Sequence, residues 1–115
     1  MDSILISVKK LLGMDQGYDQ FDMDIIMHIN SILMSINQLG VGPTTGFFIT
    51  GVDETWIGLL GTRKDLEAVK TLLYLKVRLI FDPPTTSFVI ESMNRQITEL
   101  EWRLNIQAEG GTIDG

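Results

Sequence analysis

With 115 residues, 44% of them hydrophobic and 21% charged, the chain reads as one globular domain with a single core of modest size. The absence of cysteine excludes disulfides, thiolate metal sites and a cysteine nucleophile. A net charge of −6 argues against non-specific DNA binding, because neutralising phosphates takes a basic face.

The opening MDSILISVKKLLG puts a charge first and interrupts a short apolar run with lysines, which is not the pattern of a signal peptide. Asp2 to Leu12 predicts a short amphipathic helix, capped by Asp2 or Ser3 and ended by Gly13. Ile4, Val8, Leu11 and Leu12 fall on one of its faces. A polar connection, Met14 to Gln20, follows.

A second helix is predicted from Asp22 to Gln38, capped by Asp19 or Asp22 and closed by Leu39-Gly40. At ~100° per residue, Ile25, Ile26, Ile29, Ile32, Leu33 and Ile36 share one face. Met23, Met27 and Met34 make a separate stripe roughly 120° away, with Asn30 and Asn37 between the two.

Val41 to Gly61 is the least regular stretch, with five of the eleven glycines and Pro43. Phe47 to Ile49 reads as a short extended piece, Thr50 to Asp53 as a turn, and Glu54 to Leu60 as one or two helical turns. A loop of this length inside a domain is usually functional or poorly ordered.

The third long helix is predicted from Lys64 or Asp65 to Phe81. Leu66, Val69, Leu73, Val77 and Ile80 line one face, and Ala68, Leu72, Leu75 and Leu79 the opposite one. A helix apolar on nearly every side belongs in the middle of a bundle or between copies of itself. Lys76 and Arg78 interrupt its apolar run, which stays short of the roughly 18 residues of a membrane span. Pro83-Pro84 stops it.

The last helix is predicted from Ser87 to Gln107, with Thr85 to Ser87 as caps. Val89, Ile90, Met93, Ile97, Leu100 and Leu104 form its inner face. Glu91–Arg95 and Glu99–Arg103, four apart with the acid first, mark the outer face. The fold class is therefore all-α: a small bundle of about four main helices, an irregular glycine-rich loop (41–61) and a flexible C-terminal tail. The domain covers residues 1–109 and the tail 110–115.

No residue set announces chemistry. The single histidine, His28, lies on the polar strip of the second helix with no second ligand. Asp15, Asp19, Asp22 and Asp24 lack the central glycine and closing glutamate of a calcium loop and read as helix-capping residues at a positive helix end. Gly40-Val41-Gly42-Pro43 has no phosphate-loop lysine, and no catalytic triad or carboxylate pair is evident. No catalytic, cofactor-binding or metal-binding residue is predicted.

What the sequence offers is surplus apolar surface. The methionine stripe is either a broad core face or a second packing surface, with the asparagines fixing register across it. Trp102 points away from the inner face of the last helix, together with Phe88 and Ile106. Those three suit a partner surface, because Trp and Arg are enriched at binding hot spots; folding back of the tail or of the 41–61 loop would cover them instead. Candidate interface residues are therefore Met23, Met27, Asn30, Met34, Asn37, Phe47, Phe48, Trp56, Phe88, Arg95, Trp102 and Ile106.

Several segments in order resemble the head–tail connector (adaptor) proteins of tailed bacteriophages: SVKKLLG, YDQFDMDIIMHINSILMSINQLGVGP, TGVDETWIGLLG, LEAVKTLLYLKVRLIFDPPTTSFVIESM and ITELEWRLN. The resemblance covers Ile4 to Glu109. It implies a structural, non-enzymatic protein of the virion neck, present in the host cytoplasm before assembly. It also implies a homo-oligomeric, dodecameric ring on the portal protein, beneath the next neck protein (the stopper), through which DNA passes during packaging and ejection. Tight DNA binding and membrane attachment are not expected. Residues 1–62 carry seven acids and two bases, a balance of −5, and residues 63–115 eight and seven, a balance of −1; an acidic wall would let a duplex slide. The alternative is a small helical nucleic-acid-binding phage protein, a terminase small subunit or helix-turn-helix regulator. Against it stand the acidic balance and the lack of any helix with clustered Arg and Lys.

Overall fold

The structure, a computed structural model, describes residues 3–15, 17–61 and 66–114, without the side chains of 66 and 107–114. The expected cap at Asp2, the helix start at Lys64 or Asp65, and Gly115 lie outside these. Among the described residues, five helices follow in order: α1 (Ile4–Leu11), α2 (Asp22–Asn37), α3 (Trp56–Leu60), α4 (Leu66–Phe81) and α5 (Ser87–Asp114). Among the described residues there is no strand, only one antiparallel bridge between Ser3 and Thr55. The protein is a small all-α bundle.

The most apolar helix takes the central place. α4 packs against α1, α2 and α5. Val69, Leu72, Leu73, Leu75 and Val77 are buried from more than one side, while Ile80, near its end, is half exposed. Each fully buried Leu or Val contributes about 1.5–3 kcal/mol by leaving water. α1 brings Ile4, Leu5 and Val8 to the core, α2 brings Ile25, Ile29, Ile32, Leu33 and Ile36, and α5 brings Met93, Ile97 and Leu104.

Local chemistry sets the helix ends. The Ser3 hydroxyl accepts from the Ile6 N–H at 3.3 Å and caps α1, and Gly13 follows it at φ +80°. The Thr55 hydroxyl accepts from the Gly58 N–H at 3.2 Å and caps α3. Pro83-Pro84 separates α4 from α5.

Four expectations are corrected. Leu11 and Val89 are exposed, not core residues; on α1 it is Leu5 and Lys9 that turn inward beside Val8, and at ~100° per residue Leu11 stands roughly 120° or more round the helix from Leu5 and Lys9. α2 begins after Phe21 with no side-chain cap, so neither Asp19 nor Asp22 caps it. The Asp22 carboxylate instead stands 2.8 Å from the Lys9 ammonium, an ion pair and not a directed hydrogen bond. The backbone of α5 stays helical to Asp114, past the expected end at Gln107 and into the stretch read as a tail. Gly110 and Gly111 weaken a helix by about 1 kcal/mol each but do not forbid it, as a proline would.

Candidate assembly interface

The irregular connection after α2 is fastened at several points. The Asn30 side chain acts as a second strand for one residue. Its amide donates to the Ile49 carbonyl at 2.9 Å, and its oxygen accepts from the Ile49 N–H at 2.7 Å. Asn37 donates to the carbonyls of Val41 at 3.0 Å and Pro43 at 2.8 Å. The chain can turn there because Gly42 takes φ +89° and Leu59 packs where a Cβ would stand, 3.0 Å away. On the α1 side, the Ile4 N–H donates to the Glu54 carbonyl at 3.0 Å, and the Trp56 indole N–H to the Ser7 hydroxyl at 3.0 Å.

The turn before α3 is closed by Glu54, which accepts from the Thr50 hydroxyl at 2.8 Å and the Gly51 N–H at 3.3 Å. Burial pushes its carboxyl up, but the hydrogen bonds from Thr50, Gly51 and its own backbone outweigh this and hold it below the ordinary glutamate value.

These contacts sort the candidate interface residues. Trp56 is only 3% exposed and belongs to the core, with the Lys70 ammonium 5.7 Å from its ring; the helical turn that carries it folds onto α1. Ile49 is buried and Phe47 packs against the core, so the Phe47 to Ile49 segment presents only Phe48 outward. The amides of Asn30 and Asn37, which on one of the two readings of the methionine stripe would set register between copies, bond within the chain.

What remains outside falls into two groups. On α2, Met23, Met27 and Met34 are 80%, 67% and 70% exposed, with Phe48, also exposed, near Met34. Met34, Phe48, Asn30 and Ser31 line a hollow of about 480 Å³. On α5, Phe88, Trp102 and Ile106 are exposed, Trp102 beside Arg95 and Thr98. α2 and α5 both pack on α4, so the two groups sit on the two helices that flank the centre. Scattered apolar residues on a surface mean little; two clusters containing three methionines and a tryptophan fit protein contact better than water.

The model of the phage connector protein family matches residues 4–111. The chain belongs to that family. No curated protein and no solved structure matches it. A phage connector protein has a structural role, associates with the portal and neck proteins, and is a component of the virion neck. No helix among the described residues is long and apolar enough to cross a membrane.

Sequence reasoning missed two polar features of this connector. One is the buried Lys9; its signal was Leu5, four residues earlier on the same face of α1. The other is Lys76, whose ammonium donates to the Ser35 hydroxyl of α2 at 3.2 Å and pairs with Glu101 of α5 at 2.6 Å. A lysine inside the most apolar helix was the signal there, since a cation in such a place needs partners. The Glu99–Arg103 pair forms at 2.6 Å, as its spacing predicts.

Proposed function

We propose that this connector assembles with copies of itself into a ring on the portal, below the stopper, and that phage DNA passes through the ring during packaging and ejection. The observation that carries the reading is the pair of exposed apolar groups on α2 and α5. A ring is built from heterologous contacts, so each subunit needs two different surfaces, one for each neighbour. A subunit with a single such surface would stop at a dimer. The resemblance of the segments from Ile4 to Glu109 suggests a dodecamer.

The charge distribution supports a conduit. The first 62 residues carry a balance of −5, and an acidic wall repels phosphates and leaves a duplex free to slide. Analytical ultracentrifugation of the purified chain, alone and with cognate portal protein, tests the reading. Expected is a ring-sized species that grows with concentration or forms on the portal. A chain that stays monomeric under both conditions contradicts it, and a DNA shift that fades steeply with salt would favour a nucleic-acid-binding protein instead.

A further inference from the structure

We infer that the α5 face of one copy docks on the α2 face of the next in a single register, with Trp102 seated in the hollow over Ser31 and Arg95 paired with Asp24. The inference rests on the ring reading above and specifies its contact.

Direction comes first. Phe21, at the start of α2, meets Phe81, at the end of α4, with ring centroids 5.5 Å apart. Ser35, near the end of α2, meets Lys76 further back along α4. α2 therefore runs back along α4. α5 also reverses against α4, after the proline turn, and reaches Lys76 through Glu101. The two flanking helices thus share one sense, and a modest rotation between ring neighbours keeps it. α5 of one copy then meets α2 of the next as a parallel pair.

Spacing fixes the register. Arg95 and Trp102 are seven residues apart on α5, and so are Asp24 and Ser31 on α2. Seven residues are two turns, about 10.5 Å. When Arg95 lies over Asp24, Trp102 lies over Ser31. Both charged side chains are exposed, and neither has an ion-pair partner among the described residues. At the other end, Ser31 is a small residue in a hollow walled by Met34 and Phe48. An indole fills such a space, and thioethers make favourable contacts with aromatic rings. A Trp set in a pocket with an Arg nearby is a common form of binding hot spot.

The absence of cysteine makes the test direct. In this register Met27 stands across from Thr98, three residues beyond each charge, and both are exposed. The full chain carrying Met27→Cys and Thr98→Cys, assembled on the portal and oxidised, should give a ladder of covalent oligomers on a non-reducing gel. Met27→Cys with Gln96→Cys, which lies on the other side of α5, should give about tenfold less. Assembly without the first ladder overturns this docking and leaves the ring standing. Failure of the unmodified chain to assemble, portal included, overturns both.

A charge swap provides a second reading. Arg95→Asp should raise the concentration needed for half-assembly about tenfold, and adding Asp24→Arg should restore most of it. An Arg95→Asp chain that assembles like the parent, or a swap that restores nothing, overturns the pairing.

Discussion

α2 and α4 are both sixteen residues long, and both are apolar around most of their circumference, yet they meet different fates. α4 has neighbours on several sides, and Val69, Leu72, Leu73, Leu75 and Val77 are buried by them. α2 has α4 on one side and the 38–49 connection beside it, so Ile25, Ile29, Ile32 and Ile36 are buried and its methionines are left in water. The difference lies in neighbours, not in composition. A helix with more apolar surface than one side requires is a core element if the chain supplies a second layer, and an assembly element if another molecule must.

Mutations can test that contrast at each level. The largest effect belongs to the centre: Leu73→Asp puts a charge where the side chain has no exposure. It should cost at least about 4 kcal/mol and abolish cooperative unfolding in a circular-dichroism melt. Next is Asn30→Ala, which strips both hydrogen bonds from the Ile49 backbone and should cost about 2–3 kcal/mol. Hydrogen exchange should then speed up around residue 49 more than in α4.

Asp22→Ala removes the carboxylate facing Lys9 and an acid from the first turn of α2, for a loss of about 1–2 kcal/mol in a urea titration. Glu54 has a smaller effect, visible through pH. Its folded carboxyl is held below its ordinary value, so the stability it adds is present above the unfolded value and is lost as pH falls through the folded one. Glu54→Gln should therefore flatten the acid limb of the stability curve by lowering stability near neutrality, and change little at low pH where the carboxyl is already protonated. Smallest of all, Met27→Ser should shift the melting midpoint hardly at all, because the side chain is in water in the monomer. It should weaken assembly nonetheless; an intact assembly would return the methionine stripe to ordinary surface.

Periodicity made much of this legible in advance. The isoleucine face of α2, the central place of α4, the proline break and the Ser3 and Gly13 ends of α1 all follow from spacing and local chemistry. The connection was harder, because what orders it is long-range. Asn30 and Ile49 are nineteen residues apart, and nothing local marks one as the clamp of the other. For the same reason an amide between two apolar stripes looked like a device between molecules when it serves within one. Trp56 was misplaced because a five-residue helix has too few residues for a face to show. Of the candidate interface, the α2 methionines, Phe48 and the α5 group lie on the surface; Trp56 does not.

The Lys76 ammonium, held between Ser35 and Glu101, has one more consequence. It fastens both outer helices to the middle one, and so helps fix the angle between the surfaces they carry. In a closed circle of identical parts, that angle decides how many parts complete the turn. A single cation between three helices would then act as a counting device, and a shorter or neutral side chain there would be expected to loosen the tally before it loosened the subunit.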